Sequence, residues 1–239
     1  VSRSGGTPAD AAGRLIVALD VPTRAEAERL VAALEPDVSF YKVGLELFSC
    51  GEGAGLVRSL ADSGKRVFAD LKLFDVPATV GRAMARIAEL GAAFATVHGN
   101  DAMVEAAVAN AGGAGVLSVT ALTSLDRGDL ESMGFRCDPA ELALSRARRA
   151  LALGCAGVVS SGLEVRSLRE GIGDALAIVT PGVRPLDNRE EDDQKRVVTP
   201  GQAVADGADY VVVGRPIRDA ADPAASARSI IAEIGSETR

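Results

Sequence analysis

Eight short apolar runs, most of them rich in β-branched residues, recur along the chain: 14–19, 39–43, 65–69, 94–97, 115–119, 157–160, 175–179 and 210–213. Each is almost continuously apolar rather than alternating, as expected for strands buried on both faces of a parallel sheet. Between them lie Ala- and Leu-rich segments with helical period and charged outer faces, among them 23–34, 78–90, 102–111, 139–153 and 223–234. Pro22-Thr23, Asn100-Asp101, Asp138-Pro139 and Asp222-Pro223 read as helix starts. Gly64, Gly91, Gly154 and Gly207 stand where helices should stop. Eight strands alternating with helices in a chain of 239 residues predict an α/β fold, a single (β/α)8 TIM barrel over residues 13–239.

An open doubly wound sheet is the structural rival. It would need a phosphate-binding GxGxxG after the first strand, where this chain has Ala18-Leu19-Asp20-Val21-Pro22. The glycines of Gly51-Glu52-Gly53-Ala54-Gly55 follow the second strand and lack the final spacing, so they read as a loop. Gly112-Gly113-Ala114-Gly115 reads as a helix end and a tight entry into a strand. No Walker A pattern and no interdomain linker is found.

Composition narrows the function classes. The net charge of −7 disfavours a nucleic-acid binder, which should look basic. An acidic protein still binds an anion where its Lys and Arg converge in one cleft. Three widely spaced cysteines, Cys50, Cys137 and Cys155, with a single His argue against a Cys/His zinc site. They read as reduced thiols, which implies a cytoplasmic setting. Residues 1–12 are small and polar, with no apolar core of a secretory signal, and read as a flexible N-terminal tail. No stretch approaches the ~18 apolar residues of a membrane span.

In a barrel of this type chemistry sits at the C-terminal ends of the strands. The first strand ends in Asp20, the second carries Lys42, and the third gives Asp70 and Lys72. Strand four leads into His98, strand five into Thr120, Thr123 and Ser124, and strand six ends in Ser160 and Ser161. Strand seven ends in Thr180-Pro181-Gly182 and strand eight in Gly214-Arg215. Polar residues thus recur at one level around the ring while the strand bodies are apolar. Asp70 and Lys72, two apart on a strand, should point the same way and put an acid and an amine in one pocket. Asp75 follows in a turn, and Pro77 is placed to open a helix. Three charges of alternating sign suggest proton chemistry on a small anion. His98 reads as a hydrogen-bonded structural residue, and Ser160 and Ser161 lack the base a nucleophile needs.

Gly214-Arg215-Pro216 after the eighth strand has the character of a phosphate grip, with close backbone approach at Gly214 and charge from Arg215. Residues 181–196 form a long charged stretch that would close over the barrel mouth as a lid.

Taken in order, these blocks resemble the orotidine 5′-phosphate decarboxylase family of bacterial type, over nearly the whole chain. The specific block is Asp70-x-Lys72-x-x-Asp75-x-Pro77-x-Thr79. It is flanked by Ala18-Leu19-Asp20, Tyr41-Lys42-Val43-Gly44, Val119-Thr120-Ala121-Leu122-Thr123-Ser124, Thr180-Pro181-Gly182-Val183-Arg184, Asp193-Gln194-Lys195-Arg196 and Gly214-Arg215-Pro216. The resemblance implies metal-free, cofactor-free decarboxylation of orotidine 5′-phosphate to UMP, the final step of de novo pyrimidine nucleotide biosynthesis. It makes Lys72 the proton donor to C6 and sets Asp70 against the substrate carboxylate. Lys42 and Asp75 complete a Lys-Asp-Lys-Asp array, with Asp75 and Thr79 contributed across the interface of a homodimer. Asp20 and Lys42 would bond the ribose hydroxyls and Thr123 the pyrimidine. Gln194 would bridge base and phosphate, while Gly214 and Arg215 hold the phosphate, with Pro181 and Arg184 beside it. A developing carbanion beside an ammonium is favoured by Coulomb attraction in a dry pocket.

A related type of barrel, a Mg-dependent decarboxylase or aldolase of keto-sugar phosphates, also carries Asp-x-Lys-x-x-Asp. It needs further carboxylates placed for the metal. Here Lys42 occupies a strand-two position, and the Pro77-x-Thr79 continuation favours the nucleotide enzyme. A non-catalytic barrel that merely binds a phosphorylated ligand would have no need for Lys72 beside Asp70.

Overall fold

A computed structural model describes residues 10–184 and 198–237. Eight strands close into a parallel barrel in chain order: β1 (Leu15–Ala18), β2 (Phe40–Gly44), β3 (Arg66–Leu73), β4 (Phe94–Val97), β5 (Gly115–Val119), β6 (Gly157–Val159), β7 (Ala177–Pro181) and β8 (Tyr210–Val213), with β8 pairing back to β1. The single TIM barrel expected from the apolar rhythm is therefore present. Of the expected tail, residues 1–9 lie outside the described residues, and Ala12 opens a short 3-10 helix ahead of β1.

The helices that cover the barrel follow from local chemistry. In α1 (Arg24–Leu34) the Thr23 hydroxyl caps the Glu26 amide, and Ala27, Leu30, Val31 and Leu34 form the buried stripe. Burying each such Leu or Val contributes roughly 1.5–3 kcal/mol. In α4 (Pro77–Glu89) Pro77 occupies the first turn, where its missing N–H costs nothing, and Val80, Met84 and Ile87 face inward. α5 (Asp101–Ala109) is capped by Asn100, and α7 (Pro139–Ala152) by a reciprocal Asp138–Glu141 box. α11 (Pro223–Glu237) closes the ring against α1. The expected stops at Gly64, Gly91, Gly154 and Gly207 all have positive φ, between 79° and 111°.

Two local readings are corrected. Gly53-Ala54-Gly55 is not loop: Gly53 opens an α-helix, Gly53–Asp62, whose Leu56, Val57 and Leu60 are buried. A side chain at Gly53 would meet the Phe48 backbone at 2.8 Å, so this glycine allows a close helix packing rather than a turn. The second correction concerns β3. Between Ala69↔Ala95 and Leu73↔Val97 its register with β4 shifts, four residues of β3 advancing against two of β4. Asp70, Leu71 and Lys72 form an irregular bulge rather than a plain strand, and Lys72 has φ +48°, the only positive φ among the described non-glycine residues.

The packing has two apolar layers. One lies between strands and helices, with Leu15, Val17, Tyr41, Val43 and Val211 among its members. The other fills the barrel, with Ile16, Phe40, Phe68, Phe94, Leu117, Val179 and Tyr210. Above this inner layer, at the C-terminal ends of the strands, the barrel opens.

Candidate active site

The mouth holds a cavity of about 350 Å³. It is lined by Asp20, Lys42, Asp70 and Lys72 from the ends of β1, β2 and β3, by Pro181, Arg184, Gly214 and Arg215 from the ends of β7 and β8, and by Thr123 after β5. Residues predicted from six different strand ends thus converge on one space.

The charged groups form a chain of contacts. Lys42 Nζ donates to Asp20 Oδ1 at 2.8 Å and lies 3.7 Å from Asp70 Oδ2. Lys72 Nζ stands 2.9 Å from both Asp70 oxygens. The Thr96 hydroxyl donates to Asp70 Oδ1 at 2.9 Å and accepts the Lys72 backbone N–H at 2.9 Å. Burial alone would raise the Asp70 carboxyl, but Lys42 and Lys72, together with hydrogen bonds from Lys72 and Thr96, outweigh it and hold the group below the usual carboxylate range. Asp70 is therefore an anion between two ammonium groups, with Asp20 on the far side of Lys42.

Neighbouring backbone is fitted to this array. A side chain at Gly44, the last residue of β2, would come within 3.1 Å of both Asp20 Oδ1 and Lys42 Nζ. Arg218 lines the cavity and donates from its guanidinium to the Asp20 carbonyl. At the end of β8, Gly214 is the N-cap of the short helix α10 (Arg215–Arg218), and its carbonyl accepts the Ile217 and Arg218 amides. The Arg184 amide donates to the Val198 carbonyl at 3.0 Å, and the residue is 8% exposed.

Asp75 and Thr79 do not join the mouth within one chain. Asp75 Oδ1 accepts the Val76 amide at 2.6 Å, and Thr79 Oγ1 accepts from Arg82 at 3.2 Å. Both line a separate depression on the outer surface, beside Phe74 and Val76, which are 65% and 62% exposed. Lys72 lines both this depression and the cavity. Gln194 lies outside the described residues.

His98 sits beyond the array. Its Nε2 is 3.4 Å from an Arg146 nitrogen, and its ring tilts against Phe74 with centroids 5.8 Å apart. Burial, then the Arg146 and Lys72 charges, push its pKa down, so it is neutral near pH 7. Ser160 Oγ accepts from the Thr120 hydroxyl within the protein. Thr96 and Arg218 were not among the residues singled out from sequence. Thr96 had a signal: it lies two after Phe94, on the barrel-facing side of an otherwise apolar strand. Arg218, three residues past Arg215 on a single helical turn, had none beyond its charge.

A parallel barrel with a lysine–aspartate array and a glycine–arginine turn lining one cavity at the strand C-termini defines a (β/α)8-barrel enzyme. A family model described as "Orotidine 5'-phosphate decarboxylase / HUMPS family" matches residues 13–230. The chain is 61% identical over 227 residues to an orotidine 5′-phosphate decarboxylase from Methylococcus capsulatus, covering 95% of this chain and 94% of that one. It is 48% identical over 230 residues to the protein of the same name from Afipia carboxidovorans, covering 95% and 97%. Among solved structures, orotidine 5′-phosphate decarboxylase from Lactobacillus acidophilus superposes with a TM-score of 0.81 at 36% identity, covering 92% of this chain and 98% of that one. The chain belongs to the orotidine 5′-phosphate decarboxylase / HUMPS family.

Proposed function

We propose that this chain is a carboxy-lyase that converts orotidine 5′-phosphate to UMP and CO₂, the closing step of de novo pyrimidine nucleotide synthesis. The observation that carries the proposal is the Asp20–Lys42–Asp70–Lys72 array sharing one cavity with Gly214 and Arg215. A nucleotide placed with its phosphate at Arg215 presents its base to Lys72.

In the reaction the bond from C6 to the carboxylate breaks and the electron pair stays on C6. The carboxylate carbon leaves as CO₂. Lys72 Nζ gives one proton to C6, and the amine regains a proton from water. The ammonium stabilises negative charge as it develops, and its charge counts for more once the bound nucleotide displaces water from the cavity. Asp70, held anionic, fixes the ammonium through both carboxylate oxygens and faces the departing carboxylate. Asp20 and Lys42 bond the ribose hydroxyls, and Thr123 bonds the pyrimidine. Gly214 and Arg215 hold the phosphate, with Pro181 and Arg184 beside it and Gln194 bridging phosphate and base. Phosphate contacts remote from C6 can be used to hold the reacting end in place.

The working unit is a homodimer in which Asp75 and Thr79 of each chain complete the neighbour's site. Three features favour this reading: the two residues face outward within one chain, exposed Phe74 and Val76 surround them, and Lys72 reaches both faces. Homodimers of this kind use one self-complementary patch on both copies.

The alternative, a Mg-dependent enzyme of keto-sugar phosphates, is not favoured. In this mouth Asp20 and Asp70 are each engaged by an ammonium. The test is loss of the orotidylate ultraviolet band on adding the protein in excess EDTA. Conversion to UMP at an undiminished rate is expected. No conversion, or conversion only after Mg²⁺ is restored, would count against the proposal.

A further inference from the structure

Thr96 touches neither face of the cavity, yet it holds two parts of the array at once. We propose that Thr96 is a positioning residue for the decarboxylation: its hydroxyl pins the left-handed backbone of Lys72 and the carboxylate of Asp70 to β4. The inference rests on the decarboxylase reading of the site.

The bulge in β3 creates the need for this hydroxyl. Because β3 slips against β4 between Ala69 and Leu73, the regular ladder is interrupted where Lys72 stands. A buried amide left unpaired there would be costly. The Thr96 hydroxyl accepts that amide at 2.9 Å and so replaces the missing carbonyl. Lys72 itself holds φ +48°, a conformation disfavoured for a residue with a Cβ, which persists only where its surroundings impose it. The left-handed turn and the bulge together bring Lys72 Nζ back over Asp70.

The same hydroxyl has one hydrogen, and it goes to Asp70 Oδ1. That bond defines the carboxylate as the acceptor and fixes its plane. Thr96 is fully buried, so no solvent can substitute for either contact. A β-branched side chain in a strand has restricted χ1, which keeps the hydroxyl aimed. Valine would fill the same volume and supply neither bond.

The charged groups around Asp70 are Lys42 from β2, Lys72 from its own strand and, behind Lys42, Asp20 from the end of β1. On the far side of Lys72 stand His98 from the end of β4 and Arg146 from α7, with His98 neutral near pH 7. Losing the Thr96 bond removes one of the contacts that keep Asp70 ionised. Its pKa therefore rises, and the acid limb of kcat moves to higher pH.

The experiment compares Thr96→Val and Thr96→Ser with the native enzyme in steady-state turnover of orotidine 5′-phosphate across pH. Loss of a buried hydrogen bond to a charged group predicts that Thr96→Val lowers kcat about 10- to 100-fold. KM changes by less than about threefold, because the side chain lies outside the cavity. Thr96→Ser keeps the hydroxyl and returns kcat and the acid limb to near native values. If Thr96→Val does not fold, Thr96→Cys, close to serine in volume but a poor donor, takes its place and must show the same loss. Valine (or cysteine) variants with native kcat and an unmoved acid limb would overturn the inference, as would equal impairment of the serine variant. Failure of the native protein to turn over the nucleotide would instead strike the proposed function itself.

Discussion

On β2 the barrel-facing residues run Phe40 then Lys42; on β3, Phe68 then Asp70; on β4, Phe94 then Thr96. The same strands thus build two opposite ends. At the lower end Phe40, Phe94 and Tyr210 meet edge to face or tilted, with centroids 5.5–5.8 Å apart. Arg66 lies across them, its guanidinium 4.1 Å from the Phe40 ring centroid and donating to the Tyr210 hydroxyl at 3.1 Å. At the upper end the cations Lys42 and Lys72 meet carboxylates across an open cavity. Both ends hold partly desolvated positive charge. The lower one spends it on ring faces and a hydroxyl, which seals the barrel. The upper one holds it beside Asp70, where a bound anion can use it. Position along a strand, rather than residue type, separates packing from chemistry.

That contrast can be broken most forcefully at the mouth. Lys72→Ala and Asp75→Ala subunits, each inactive alone, are mixed under conditions where subunits exchange. With random pairing, half the dimers are mixed and each has one competent site, so about a quarter of native activity should return. No recovery despite demonstrated exchange would mean that Asp75 is not shared. The smaller effect is expected at the base. Arg66→Met keeps the aliphatic contact but loses the stacked charge and the Tyr210 bond, a cost of about 1–3 kcal/mol. Thermal unfolding should shift down by roughly 2–4 °C for each kcal/mol, with kcat unchanged. A loss of turnover without a thermal shift would erase the distinction between the two ends.

The barrel was legible because its signal is repeated: eight apolar runs, most of them flanked by a helix start such as Asp138-Pro139 or a stop such as Gly154. Lys42, Asp70, Arg184, Gly214 and Arg215 were legible because strand ends are where a barrel gathers polar groups. The bulge at Asp70–Lys72 was not. A plain strand reading pointed both side chains the same way, whereas the structure joins them through a register slip and a left-handed Lys72. That geometry depends on the Thr96 hydroxyl 24 residues further on, a contact that no local pattern encodes. The helix at Gly53–Asp62 was missed for a related reason, since its glycine answers to the Phe48 backbone and not to its own neighbours in sequence.

The central claim is that the Lys72 ammonium delivers the proton to C6. It is tested most directly by Lys72→Ala, assayed for loss of the orotidylate band and, in parallel, for UMP binding by calorimetry. General acid catalysis typically contributes 10²–10⁴-fold, and the sole donor should sit at or beyond the upper end, so turnover should fall by at least about 10⁴-fold. UMP should still bind through the Arg215 side of the cavity. A variant that still forms UMP within about tenfold of the native rate would contradict the account.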